Sequence, residues 1–161
     1  MLVVFVVAAA GGDGTARADG QVLRCQGDSV RGLFTLTLAT FPLVPEADAV
    51  DEQSAKRMGR GDVLVLLIGY GRGDVSNPSF QTHPHLPLTV QAMSVYSLFE
   101  HMPHGHRIAR KTFVARGSAY DVQVQFGRTI TPELRKRANS VLGLFHFSPP
   151  PRQTPSGMTR C

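Results

Sequence analysis

The sequence predicts an α+β domain, an antiparallel β-sheet with one or two helices packed on one face, and three observations carry that prediction. Tyr120, Val122, Val124 and Phe126 alternate with Asp121, Gln123 and Gln125, the two-residue period of a strand with unlike faces. Leu134, Ala138, Val141 and Leu142 fall at i, i+4, i+7 and i+8, which is the period of a helix with one apolar stripe. Strand-type segments come first and the strong helix comes near the end, an order that favours antiparallel pairing over alternating strand and helix. The chain has 161 residues, 42% of them hydrophobic, enough for one domain with a real core plus tails.

Leu2 to Ala10 is an unbroken apolar run, followed by Ala16-Arg17-Ala18. A short apolar stretch ahead of an A-x-A site has the form of a secretory signal, here residues 1–18. The run is too short to span a bilayer, which takes roughly 20 residues. Two features stand apart: no Lys or Arg precedes the run, and Leu2 to Val7 also suits a buried first strand. A lipid-anchored alternative at Cys25 fails because Arg24, just before it, is not small. The only other cysteine is Cys161, at the end of the chain, so a bridge between the two is left open.

The folded domain is expected over residues 19–148. Asp19 to Arg31 is polar and contains glycine, so it reads as a lead-in. Gly32 to Phe41 alternates Phe34, Leu36 and Leu38 with Thr35, Thr37 and Ala39, a strand stopped by Pro42 and Pro45. Glu46 to Met58 has helix-forming residues with a weak apolar stripe. Val63 to Ile68 is apolar without a break, as in a central strand covered on both faces. Gly69 to Pro87 reads as a long loop, Met93 to Glu100 as a strand and His101 to Gly105 as a turn. Arg107–Arg116 and Ala119–Gly127 form a hairpin around Gly117-Ser118. Thr131 caps the helix, Pro132 suits its first turn and Glu133 favours its positive end. Gly143 ends it, Leu144 to Phe147 returns as a short strand, and residues 149–161 form a Pro-rich tail without periodicity, expected to be disordered.

The closing segment TPELRKRANSVLGLFHF, residues 131–147 behind a hairpin, resembles that of small exported bacterial domains, including those with the PsbP-like fold. LATFPL at 38–43 and DVLVLLIGYGRG at 62–73 are similar to secreted proteins of bacteria with G+C-rich genomes. The resemblance rests on pattern, implies export and an α+β fold, and carries over no activity and no functional residue.

No catalytic motif is present. Gly69-Tyr70-Gly71-Arg72-Gly73 follows a strand, but its spacing is not that of a dinucleotide loop, and Asn77-Pro78 breaks any following helix. A strand-ending turn is the plainer reading. Arg72-Gly73-Asp74 matches an integrin-type tripeptide too short to carry weight. Ser94, Ser97 and Ser118 lack a nucleophile-elbow context. Five histidines, His83, His85, His101, His104 and His106, crowd into one region beside Glu100. Neutral imidazole suits zinc or copper, so a zinc site here is the first candidate chemistry. Pro84, Pro103 and Gly105 make the region loop-like, where histidines are usually solvated.

Charge is unevenly spread. Residues 107–161 carry ten Lys or Arg against two Asp or Glu, while residues 1–106 carry seven against ten. Arg107, Arg110, Lys111, Arg135, Lys136 and Arg137 are the candidates for an anionic-surface site. Nucleic acid fits poorly with export and with the few aromatics in this half. The expectation is a non-enzymatic binding or interaction module, secreted or at the cell envelope, whose partner is an anionic envelope component or a protein. The alternative is a metal-binding protein or metal-dependent extracellular hydrolase using His83–His106.

Overall fold

In the computed structural model, residues 5–7, 14–18, 21–28, 33–44, 52–80, 82–97 and 103–147 are described. The strands are β1 (Phe5–Val7), β2 (Gly14–Ala18), β3 (Gln21–Asp28), β4 (Leu33–Ala39), β5 (Val63–Gly71), β6 (Ser94–Tyr96), β7 (Arg107–Ala115), β8 (Ser118–Phe126) and β9 (Phe145–Phe147). The helices are α1 (Glu52–Lys56) and α2 (Pro132–Leu142). Seven strands form one antiparallel sheet in the order β2-β3-β4-β5-β8-β7-β6. β1 and β9 make a separate parallel pair.

β5 is central because it can be buried twice over. Val63, Val65 and Leu67 point to one face, Leu64 and Leu66 to the other, and all five are buried. The first face carries the main core. There Phe34, Leu36 and Leu38 of β4, Val122, Val124 and Phe126 of β8 and Phe113 of β7 meet Leu134, Ala138, Val141 and Leu142 of α2. Burying a side chain of this kind contributes roughly 1.5–3 kcal/mol. Phe113, Tyr120 and Phe147 interlock at ring-centroid distances of 4.9–5.5 Å, which ties β9 to the sheet.

The α2 signals act as expected. The Thr131 hydroxyl accepts from the Leu134 amide at 3.2 Å, and the Gly143 N–H donates to the Asn139 carbonyl at 2.9 Å. Glu133 lies in the first turn, and its own backbone N–H and the Thr131 hydroxyl hold its carboxyl below the usual range.

The second face is buried too, as the unbroken apolar run of β5 implies, and the burial extends to the polar residues of β8, whose alternation alone does not imply it. All nine residues of β8 are buried, including Asp121, Gln123 and Gln125. Ala55 and Phe41 cover Leu64 and Ala39 at one end, and Phe80 covers Ala119 and Val114 at the other. Phe80 belongs to a single 3-10 turn, Pro78–Phe80, within what reads from sequence as a continuous loop. The Val114 amide donates to the Thr82 carbonyl at 2.9 Å, anchoring that loop to the hairpin.

Three expectations are corrected. The polar lead-in contains strand β3, which gains its order from the ladder to β4 rather than from its own composition. The helix expected over 46–58 is seen as only Glu52–Lys56, with residues 46–51 outside the described residues. The hairpin turns at Arg116 and Gly117, both with positive φ, one residue earlier than Gly117-Ser118. Phe5–Val7 forms a strand, the form that the apolar run also allows. The 149–161 tail and Cys161 lie outside the described residues.

The glycine run is a strand end, as expected. A Cβ on Gly69 would lie 2.2 Å from the Phe34 ring, so Gly69 is there for close packing. Gly71 has φ +70° at the register shift that ends β5. Backbone closeness here serves an aromatic ring of the chain itself.

Candidate functional site

The histidines separate in the structure. His83 and His85 are exposed in the chain leading to the 90–92 turn, and His104 is exposed in the turn before β7. His101 lies outside the described residues. Among the described residues, no three His, Cys, Asp or Glu side chains come together to hold a metal ion. His106 is half-buried. Its amide donates to the Pro103 carbonyl at 3.1 Å, and its Nδ1 is buried with no hydrogen-bond partner. Burial, reinforced by the Arg128 charge, pushes its pKa down.

The six basic candidates divide into two groups. Arg110 is held by Asp121. Its Nε donates to both carboxylate oxygens at 3.0 Å, and its Nη2 donates to Oδ2 at 2.7 Å. That bond, above all, raises its pKa. Lys111 donates from Nζ to the Ala92 carbonyl at 3.1 Å, and Arg137 donates from Nη1 to the Gly61 carbonyl. Arg110, Lys111 and Arg137 therefore have structural partners. Arg107, Arg135 and Lys136 are exposed.

Arg135 and Lys136 line a groove of about 530 Å³ with Pro132, Asn139, Ser140 and Gln91. Its two walls are the outer side of α2 and the short turn Val90–Ala92. Asn139 joins them. Its Oδ1 accepts from the Val90 amide at 2.8 Å, and its Nδ2 donates to Gln91 Oε1 at 3.1 Å. Val90 itself is buried in the main core, so the turn is a fixed wall. Gln91 accepts through Oε1, which leaves its amide N–H groups as donors. The lining thus offers a guanidinium, an ammonium and an amide, and contains no carboxylate. That chemistry suits oxyanions.

A second polar group lies on the opposite face of the sheet. Asp121 also accepts from Gln123 Nε2 at 3.1 Å, while Oε1 of Gln123 and Oε1 of Gln125 are buried without hydrogen-bond partners. Tyr70, tilted against the Phe80 ring at 5.1 Å, has its pKa raised by burial and then by Asp121. Asp121, Gln123 and Gln125 are closed off from solvent, unlike the groove.

Sequence reading found Arg135 and Lys136 but not Gln91 or Asn139. Gln91 and Asn139 lie 48 positions apart, and no local pattern links them. Among the described residues, no helix is long and apolar enough to cross a membrane. No family model, curated protein or solved structure matches the chain.

Proposed function

We propose that the chain is a non-enzymatic binding module, exported to the cell envelope, that holds anionic groups in the groove between α2 and the 90–92 turn. The observation that carries this reading is the lining: Arg135, Lys136 and the Gln91 amide border one fixed depression whose lining holds no carboxylate. The basic excess of residues 107–161 adds a long-range field that draws such ligands in. Export rests on the apolar run and Ala16-Arg17-Ala18.

The test is binding of a phosphate-bearing polymer, such as polyphosphate, by wild type and by an Arg135→Ala, Lys136→Ala double variant. Both residues are exposed, so the variant should fold. Loss of two charge-assisted contacts should weaken binding by roughly tenfold or more. Equal binding by both proteins would remove the groove from consideration.

A metal site involving His104 and His106 is the second reading, and the unpartnered His106 Nδ1 favours it. Stoichiometric zinc in protein purified without a tag, lost on His106→Ala, would support it over the anion site.

A further inference from the structure

We infer that β6 is a self-association edge, pairing antiparallel with β6 of a second copy of this chain. β6 is the last strand of the sheet, and β7 is its one neighbour among the described residues. All three of its residues are exposed. Among the described residues the exposed large hydrophobic side chains are Leu86, Val95 and Tyr96, two of them within this strand.

The placement of those two side chains selects the mode of contact. Val95 is opposite Ala109 and so projects on the α2 face, whereas Tyr96 is opposite Ile108 and projects on the other. They are 52% and 43% exposed. A partner lying on either face would cover one and leave the other wet. A strand added beside β6 covers both.

Charge selects the occupant. From Val75 to Phe99 the chain has no Asp, Glu, Lys or Arg. Edge strands normally carry such charges, or Pro, to block pairing with another copy. In a chain of net charge +5, this uncharged stretch is where two copies meet with least repulsion. Of the cations on the neighbouring β7, Arg110 is engaged by Asp121 and Lys111 by the Ala92 carbonyl, whereas Arg107 is exposed just beyond the Tyr96–Ile108 pair that ends the ladder. Antiparallel pairing centred on Val95 places Val95 against its own copy and Ser94 against Tyr96, a self-complementary two-fold contact. The two-fold axis is normal to the sheet, which leaves both α2 helices on the same side.

A three-residue ladder is a small interface, so the dimer should be weak, with a Kd on the order of 10 µM. Sedimentation equilibrium of the full chain from about 1 to 300 µM, bracketing that Kd, should show monomer passing to dimer. Val95→Lys sets like charges opposite each other and should raise Kd by roughly tenfold or more. Val95→Thr keeps an uncharged strand former and should retain the dimer. Circular dichroism checks that both variants fold. A wild type that stays monomeric would overturn the inference and leave the edge to some other strand. So would a Val95→Lys protein that dimerises as wild type does, or a Val95→Thr protein that cannot dimerise.

Discussion

Gly69→Ala tests the packing logic of the sheet most sharply. Gly69 lies in the central strand, opposite Phe34 of β4 and Tyr120 of β8. A Cβ built there would fall 2.2, 2.6 and 2.8 Å from three atoms of the Phe34 ring. Ordinary carbon contacts are about 3.5–4.0 Å, so the ring must move by roughly 1 Å or more. Phe34 has little room to do so. It is 5% exposed and packs edge-on against Tyr120 at 6.3 Å. Overpacking of this kind costs about 1–3 kcal/mol. Urea unfolding followed by circular dichroism should show that loss as a lower midpoint with an unchanged slope. The decisive control is the Phe34→Ala background. Removing the ring alone costs about 3–5 kcal/mol. With the ring gone, Gly69→Ala should cost nothing, or stabilise by about 0.5–1 kcal/mol because alanine is less flexible when unfolded. An equal penalty for Gly69→Ala in both backgrounds would refute the assignment of Gly69 to aromatic packing.

Two further outcomes are expected. The His106 pKa is lowered in the folded protein, so between the lowered value and the unfolded value of about 6.5 the unfolded chain binds more protons. Stability should therefore fall as pH drops through 6.5, and His106→Gln should flatten that part of a Tm-against-pH curve; an unchanged curve would contradict the burial of this imidazole. Export with cleavage after Ala18 would give a mature chain beginning at Asp19, lacking β1 and β2 and leaving β3 as the sheet edge. Intact mass of the protein recovered outside the cytoplasm checks this, and a full-length mass there would exclude the cleavage.

The legible parts of the fold are those whose signal is local. β5 announces itself by an unbroken apolar run, β8 by strict alternation, and α2 by Thr131, Pro132 and a four-residue stripe, and all three occur where the sequence places them. β3 was illegible because its order comes from pairing with β4, not from its polar composition. The burial of Asp121, Gln123 and Gln125 was illegible for a related reason. Alternation reveals that a strand has two faces, but not that Phe80, nearly forty residues earlier, closes over one end of the polar one. The candidate site shows the same division. Arg135 and Lys136 stand out as charges, whereas the groove exists only because Asn139 reaches the Val90 amide and Gln91 across the fold. The sequence likewise cannot show that Arg110, in the same basic half, is committed to Asp121.

The measurement that bears most directly on the proposed function is a salt titration of binding to vesicles rich in anionic lipid, comparing wild type with an Arg135→Glu, Lys136→Glu variant. Raising ionic strength from about 0.1 to 1 M shortens the screening length from about 10 to 3 Å. The expected result is wild-type binding that falls steeply across that range and is absent in the variant even at low salt. Binding that persists at 1 M, or that the variant retains in full, would contradict an anion site in the α2 groove.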